Sequence, residues 1–160
     1  MPIREFQKQD IEPLTRILTD TDMFRKDEID VAVELMEIVI EEPEQKDYIM
    51  RTYVDEENVV RGYYCVGSTP MTEGTFDLYW IAVDPGLQRR GIGQELLGHC
   101  EATLKSMAGR LIVVETSSLP KYKPTRIFYE KQKYHETARI RNYYSAGDDL
   151  VIYTKQIKEN

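Results

Sequence analysis

Long hydrophobic runs are missing from this sequence of 160 residues. No run approaches the roughly 20 apolar residues that a membrane-spanning helix needs. The first residues, Met1 to Phe6, also lack the basic segment and the continuous apolar core of a secretory signal. We therefore expect a cytoplasmic protein with no membrane partner.

Cysteine and histidine are scarce, with two residues of each type. Cys65 and Cys100 fall inside apolar segments, and neither has the CxxC or Cys/His spacing of a metal site. His99 and His135 have no motif around them, and no Cys/His or Ser/His/Asp arrangement is supported. The sequence predicts two buried free thiols, no metal and no covalent nucleophile.

Positive charge is not in excess either, because 28 acidic side chains outnumber 21 basic ones and give a formal net charge of -7. Such a chain repels a polyphosphate backbone at long range, and no basic stripe interleaved with aromatic residues offsets this repulsion. We therefore expect no nucleic-acid partner.

The residues that are present predict a single domain spanning residues 1–160. A chain of this length buries about 70% of the surface that its unfolded form exposes, so one hydrophobic core is expected. Apolar residues recur with the period of strands in seven segments and with the period of helices in four. The predicted strands are Ile3–Phe6, Tyr48–Val54, Val59–Val66, Thr75–Val83, Arg110–Thr116, Thr137–Tyr144 and Leu150–Ile157. The predicted helices begin near Asp10, Asp27, Ile92 and Thr125.

The order of these elements, β-α-α-β-β-β-α-β-α-β-β, predicts a mixed-sheet α/β (α+β) domain. Strands joined by short turns favour antiparallel pairing, whereas the strand-helix-strand crossover favours parallel pairing. The third helix is expected to end near Met107, with Gly109 as its left-handed cap.

The loop from Gln88 to Gly93 carries the most chemical information, because it follows a buried strand and opens a helix. Backbone N–H groups at a helix start lack intrahelical acceptors, so they can converge on an anion. Gly91 and Gly93 keep side chains away from the backbone, while Arg89 and Arg90 add positive charge to the helix dipole. The pattern predicts a phosphate site, although a tight turn with two surface arginines fits the spacing equally well.

Two other kinds of phosphate loop are excluded by the same residues. A dinucleotide-binding fingerprint needs glycine or alanine where Leu96 stands, and a Walker loop needs Gly-Lys-Ser/Thr, which is absent. Neighbouring motifs therefore have to identify the phosphate-bearing ligand.

Three segments of the chain form one recognisable pattern. Gln88, Gly91 and Gly93 fit a Gln/Arg-x-x-Gly-x-Gly/Ala signature, preceded by Tyr-Trp-Ile-Ala-Val-Asp-Pro at residues 79–85. Ile-Phe-Tyr-Glu-Lys follows at residues 127–131. Together these segments resemble the signature loop, the fourth strand and a later helix of the GNAT superfamily of N-acetyltransferases.

The resemblance implies acetyl-CoA as cosubstrate, held between a fourth and a fifth strand that splay apart. The backbone of the fourth strand would pair with the pantetheine arm, and amides of the loop would hold the pyrophosphate. The cofactor-binding residues implied in this way are Ile81, Ala82, Val83, Gln88, Arg89, Arg90, Gly91, Ile92, Gly93 and Gln94. Two departures from the family pattern are Tyr122 in place of a common asparagine and Gln132-Lys133-Tyr134 in place of Leu-Gly-Phe.

The resemblance also implies direct acetyl transfer to a primary amine in a ternary complex. Such a reaction needs a neutral amine, a stabilised oxyanion and a proton for the leaving thiolate. Tyr129 aligns with the tyrosine that acts as general acid in many members. For the base, Asp77 and Glu115 remain alternatives, beside water-relayed deprotonation or a rim carboxylate that only orients the acceptor.

The acceptor, a small-molecule or protein amine, has no substrate-specific motif. We expect its site around Met23–Glu28 and from Tyr143 to Asp149, and the acidic balance favours a cationic amine. The pairs Tyr63-Tyr64 and Tyr143-Tyr144 fit an aromatic pocket or ordinary packing. A silent acyl-CoA-binding module is the alternative function, and both a monomer and a homodimer fit the apolar last hairpin.

Overall fold

The computed structural model describes residues 2–158. Its strands are β1 (Ile3–Glu5), β2 (Ile49–Val54), β3 (Val60–Ser68), β4 (Thr75–Val83), β5 (Leu111–Ser117), β6 (His135–Ser145) and β7 (Asp148–Gln156). Its helices are α1 (Ile11–Asp20), α2 (Lys26–Glu41), α3 (Ile92–Ser106) and α4 (Lys123–Lys131). The predicted element order is confirmed. Within residues 2–158, no helix combines the length and apolar character needed to cross a membrane.

The seven strands form one sheet in the order β1-β2-β3-β4-β5-β7-β6. Strands β1/β2, β2/β3, β5/β7 and β7/β6 pair antiparallel, whereas β4 and β5 pair parallel. The mixed sheet is thus as predicted. The β4/β5 ladder joins only residues 75–77 to residues 111–113, although β4 continues to Val83 and β5 to Ser117. So short a ladder is what the predicted splay of these two strands requires.

The described chain divides into two compact units. The first contains the residues up to Gly67 together with Tyr79–Thr103, and the second contains Ser68–Leu78 together with the residues from Leu104 onward. Strand β4 and helix α3 therefore contribute to both units.

The core of the first unit forms where α1 and α2 cover one face of β2 and β3. Leu14, Ile17 and Leu18 recur at three- and four-residue spacing, which places them on one face of α1. They pack with residues of α2 and of the two strands, namely Ala32, Met36, Met50, Tyr63 and Cys65. Cys65 and Cys100 are buried free thiols, as the sequence predicts.

The second unit has its core between α4 and the strands β5 and β7. Alternate residues of β5, Ile112 and Val114, are buried, and the buried positions of β7 include Val151 and Tyr153. The α4 side supplies Tyr129 and Tyr134, whose rings have centroids 5.7 Å apart. The aromatic Phe-Tyr-Glu-Lys helix is therefore a packing element as well as a sequence motif.

The end of α3 corrects one expectation. Ala108, not Gly109, takes the left-handed conformation, with φ of 62°. The Gly109 N–H instead donates to the Leu104 carbonyl at 2.7 Å, and a Cβ at Gly109 would lie 2.7 Å from that same oxygen. This is a Schellman ending. Glycine is needed at the residue after the left-handed one, because its backbone lies too close to the Leu104 carbonyl for a side chain.

A buried carboxylate ties the start of the chain to the sheet. Asp10 is fully buried and accepts two hydrogen bonds from the Arg4 guanidinium, at 2.8 and 2.9 Å, and one from the Thr52 hydroxyl at 2.9 Å. The Gln7 N–H donates to the same carboxylate at 2.9 Å. Burial by itself raises the pKa of Asp10, but the bonds from Arg4, Gln7 and Thr52 outweigh it and hold the pKa below its ordinary value.

The end of β4 lies directly against β3 at Gly62. A Cβ at this position would lie 2.6 Å from the Ala82 carbonyl oxygen and 3.4 Å from the Val83 Cα, both of them backbone atoms. It would also lie 3.2 Å from Leu96 Cδ1 on α3. Only glycine lets β3, β4 and α3 meet this closely.

Replacing Asp10 with asparagine should lower the free energy of unfolding at pH 7 by about 3 kcal/mol, because the Arg4 charge loses its partner. Because the folded-state pKa is lowered, the stabilisation is present above the unfolded pKa of about 3.9 and is lost as the pH falls through the folded value. Urea unfolding of both proteins at pH 7 and near pH 3 measures this. Glu12→Gln, at an exposed ion pair with Arg16 at 3.5 Å, is the control. Equal stability of D10N and the native chain at pH 7 would contradict the assignment.

Gly62→Ala should destabilise the protein by about 1–3 kcal/mol, because the added methyl group meets backbone atoms that cannot rotate away. The matched control is Gly98→Ala on α3, where a Cβ has nothing within 4 Å. There alanine should stabilise the helix by about 0.5–1 kcal/mol. Thermal and urea unfolding of the two variants should therefore change in opposite directions, and a neutral Gly62→Ala would show that the contact is not tight.

Candidate active site

Strand β4 ends in a turn that ion pairs hold in place. The Asp84 carboxylate accepts a bond from the Gly86 N–H at 3.0 Å and pairs with Arg61 at 3.1 Å. Arg61 also pairs with Asp55 at 2.8 Å, while the Asp84 N–H donates to the Arg61 carbonyl at 2.7 Å. The positive charge of Arg61 is therefore compensated locally, and the direction in which the chain leaves β4 is fixed.

The loop that follows has the geometry of an anion site at a helix start. Gln88, Arg89, Arg90 and Gly91 are exposed, and α3 begins at Ile92. The Gly91 carbonyl accepts from the Glu95 N–H at 3.0 Å. The N–H groups of residues 92–94 precede that first helical bond, so they point away from the helix at its positive end.

Two residues of this loop adopt the left-handed backbone conformation. Gly91 has φ of 82°, which glycine adopts freely, and a Cβ built there would meet nothing within 4 Å. Arg89 has φ of 71°, an unusual conformation for a residue with a side chain. Backbone strain of this kind concentrates at functional sites, and here it occurs at the first of two adjacent exposed arginines.

The predicted pantetheine-binding residues occupy the last three positions of β4. Ala82 is buried, whereas Ile81 and Val83 are half-buried. On the β3 side, Gly62 leaves no room for a side chain next to the Ala82 carbonyl, as described above. The last three residues of β4, the loop after it and the first turn of α3 all belong to the first unit, and together they contain all ten predicted cofactor residues.

The two candidate carboxylates lie on one face of the second unit. Asp77 pairs in register with Val113, and Glu115 follows two residues later on β5, so their side chains share a face. The Thr69 hydroxyl donates to Asp77 at 2.8 Å, while Glu115 is exposed. Asp77 is thus a positioned carboxylate and Glu115 a solvent-accessible one.

Tyr129 lies on the opposite face of β5. It is only 4% exposed, and its ring centroid is 6.2 Å from that of Tyr153, which pairs in register with Val114. The Tyr153 hydroxyl donates to the Glu130 carboxylate at 3.1 Å and anchors α4 on that face. The structure therefore places the two carboxylates on one face of the sheet and the phenol on the other.

The departures from the family pattern leave the shape of α4 intact. Lys133 stands where the pattern has glycine, and it adopts φ of 70°, the conformation that glycine favours. The Tyr134 N–H donates to the Tyr129 carbonyl at 3.0 Å and the Lys133 N–H to the Glu130 carbonyl at 3.1 Å, which completes a Schellman ending. At the other end, α4 begins at Lys123 rather than Thr125, because Pro124 is accommodated in the first turn.

Sequence reasoning missed a buried pair at the end of β5. Ser117 and Asp148 are both more than 90% buried, and the serine hydroxyl donates to the aspartate. The sequence places Asp148 in a turn, but it is the first residue of β7. Asp148 precedes Leu150 and Ile152 at the two-residue spacing of a strand, and this spacing could have predicted that β7 begins at Asp148. It puts Asp148 on the same face of the sheet as Glu115.

The two buried thiols lack the properties of a nucleophile. Burial raises the pKa of both Cys65 and Cys100 to about 12, so these thiols stay protonated. The Tyr64 hydroxyl lies 2.9 Å from His99 Nδ1, and burial together with Arg51 lowers the pKa of His99. Within residues 2–158, no three His, Cys, Asp or Glu side chains cluster in a way that could hold a metal ion.

Comparison with known proteins agrees with this geometry. An acetyltransferase (GNAT) domain model matches residues 46–136. The crystal structure of a GNAT-family protein from Desulfovibrio desulfuricans is 37% identical, covers 98% of both chains and superposes with a TM-score of 0.93. A search of curated proteins gave no match.

Two more distant structures share the fold. An aminoglycoside 6'-N-acetyltransferase complexed with coenzyme A is 18% identical, with a TM-score of 0.77 over 100% of this chain and 99% of the other. The Salmonella typhimurium protein yncA, solved with its cofactor acetyl-CoA, is 19% identical, with a TM-score of 0.77 over 99% and 94%. On the domain match and the 37% identical relative, the chain belongs to the GNAT family of acetyltransferases.

Proposed function

We propose that the protein transfers an acetyl group from acetyl-CoA to a primary amine. The observation that carries this proposal is the loop between β4 and α3, where helix amides, a left-handed Gly91 and two arginines form an anion site directly after a strand end. The coenzyme A and acetyl-CoA complexes of two proteins with this fold support the choice of ligand.

In this proposal the backbone supplies most of the cofactor contacts. The amides of residues 89–94 and the Arg89 and Arg90 side chains hold the pyrophosphate, with Gln88 beside them. The peptide groups of Ile81, Ala82 and Val83 pair with the amides of the pantetheine arm, as an added strand would. Main-chain recognition explains how a cofactor site persists while the side chains around it vary.

The proposed reaction is direct attack, without an acyl-enzyme. The amine nitrogen attacks the thioester carbonyl, the C–N bond forms, and the C–S bond breaks to release coenzyme A as a thiolate. Glu115, Asp77 or a water molecule that either one orients takes the proton of the amine. Tyr129 donates a proton to the thiolate. The raised pKa values of both buried thiols support this route over a cysteine nucleophile.

A panel of primary amines with saturating acetyl-CoA should give amine-dependent release of free coenzyme A, together with a product 42 Da heavier on mass spectrometry, about the mass of one acetyl group added in place of one hydrogen. Isothermal titration calorimetry with acetyl-CoA measures the affinity of the donor site separately. Saturable acetyl-CoA binding without turnover on any amine would instead identify a silent acyl-CoA-binding module. No affinity for acetyl-CoA would reject both functions.

Tyr129→Phe should lower kcat by about 100-fold while the affinity for acetyl-CoA changes little, because a general acid typically contributes at least that factor. Phenylalanine keeps the ring packing against Tyr134 and Tyr153. The matched control is Tyr134→Phe in the same aromatic cluster, which should keep its turnover. If both variants turn over at the native rate, Tyr129 is a packing residue and the proton comes from elsewhere.

A further inference from the structure

Several hydrogen bonds hold the stretch of chain that connects β5 to α4. Ser117 is the last residue of β5, and α4 begins at Lys123. We term residues 117–119 the connecting segment. Ser117 is buried and Leu119 is exposed, so the segment runs from the core of the second unit to its surface. Helix α4 and the start of β7 belong to the same unit.

The start of β7 holds the connecting segment on one side. The Ser117 hydroxyl donates to the buried Asp148 carboxylate and accepts from the Leu119 N–H at 3.1 Å. The Ser118 N–H donates to the Asp149 carbonyl at 3.0 Å, and the Asp149 N–H donates to the Ser118 hydroxyl at 2.8 Å. A hydrogen bond to a carboxylate is about twice as strong as one between neutral groups, so the segment has a fixed position against β7.

Helix α4 is attached to the same segment by Arg126. Its Nη1 donates to the Ser117 carbonyl at 2.7 Å and to the Leu119 carbonyl at 3.0 Å. The side chain is half-buried, and a guanidinium group stays protonated in proteins, so both bonds are charge-assisted. A single nitrogen thus joins α4 to a segment that Asp148 keeps in place.

Tyr129 lies between this attachment and a second one. It follows Arg126 by one helical turn, which places the two side chains on neighbouring positions of one helix face. Beyond it, Glu130 accepts from the Tyr153 hydroxyl at 3.1 Å and attaches the C-terminal half of α4 to β7. Arg126 attaches the N-terminal half, so the position of the phenol relative to β5 depends on both bonds.

We propose that Arg126 is a positioning residue for Tyr129 and acts through the connecting segment rather than through the substrate. The inference rests on the proposed acetyl transfer with Tyr129 as general acid. A displacement of about 1 Å in a reacting group can cost about 100-fold in rate, so a helix attached at one end only would lose much of the contribution of its phenol. Acetyl-CoA affinity should not change, because the residues proposed to hold it belong to the first unit.

Arg126→Met keeps most of the apolar stem of the side chain but removes both bonds to the connecting segment. We expect kcat to fall about 10-fold, while KM and the dissociation constant for acetyl-CoA change less than about twofold. Arg126→Lys should recover most of the turnover, because an ammonium group has three donors and both native bonds come from one nitrogen. Native kcat in Arg126→Met would overturn the inference, as would equal losses in the lysine and methionine variants.

A double-mutant cycle with Tyr129→Phe separates positioning from general support of the fold. If Arg126 acts through the phenol, adding Arg126→Met to Tyr129→Phe should change kcat by less than about twofold. A fall of about 10-fold in both backgrounds would show that the two residues contribute independently, which rejects the positioning role. Urea unfolding of each variant establishes that the protein is folded under the assay conditions.

Ser117→Ala tests the support of the connecting segment without touching Arg126. It removes the hydroxyl that bonds to Asp148 and leaves both carbonyl partners of Arg126 in the chain. We expect kcat to fall about 3-fold, and not to fall further when Tyr129→Phe is also present. A loss of acetyl-CoA affinity with unchanged kcat would contradict the proposed route.

The matched control is Arg110→Met, which also removes bonds between a guanidinium group and a carbonyl in the second unit. Arg110 Nε and Nη2 donate to the Glu73 carbonyl at 2.8 and 2.6 Å, next to the other end of β5. Its kcat should equal that of the native chain. A fall as large as that of Arg126→Met would show that any loosening of this unit lowers turnover, and would reject a specific role for Arg126.

Two readouts distinguish failure of this inference from failure of the proposed function. A native chain that acetylates no amine rejects the transferase and the positioning role with it, whereas native turnover with independent effects in the cycle rejects only the positioning role. Amide hydrogen exchange of residues 123–131, read by mass spectrometry, should be faster in Arg126→Met but not in Arg110→Met, whether or not any amine is acetylated. Unchanged exchange in Arg126→Met would show that this side chain does not hold α4 and would overturn the inference.

Discussion

The contact of the β4 backbone with Gly62 is the constraint on which the rest of the site depends. Because no side chain intervenes, the Ala82 carbonyl lies at backbone distance from β3, and Leu96 of α3 packs at the same point. This one position therefore constrains both the last peptide groups of β4 and the packing of α3. A methyl group at that position would shift both together.

The charges at the loop after β4 are opposite in sign to the net charge of the chain. The net charge of -7 opposes an anionic cofactor, and Arg61 does not offset it because Asp55 and Asp84 neutralise that side chain. What remains positive at the strand end are the helix amides and the exposed Arg89 and Arg90. Since screening limits exposed charges to about 10 Å, those nearby groups outweigh the distant acidic surface for a phosphate that has reached the loop.

The sequence predicts most reliably the features that depend on residues close together in the chain. Pro85 and Gly86 end a strand, and Gly91 opens a helix with a φ that glycine favours, so the loop could be placed without any tertiary information. It was least informative where a residue acts through distant partners. Ala108 and Lys133 take left-handed conformations that composition does not reveal, because hydrogen bonds at the helix ends decide them. Asp148 is predicted to lie in a turn, because its buried hydrogen bond with the distant Ser117 is not visible in the sequence.

The candidate catalytic groups show the same difference between local features and features that depend on distant residues. Alternation along each strand is visible in the sequence, but it is the parallel register of Asp77 with Val113 that puts Asp77 and Glu115 on one face. The separation of Tyr129 from them depends on the face of β5 to which α4 docks, and Tyr153 and Glu130 determine that through a side-chain bond.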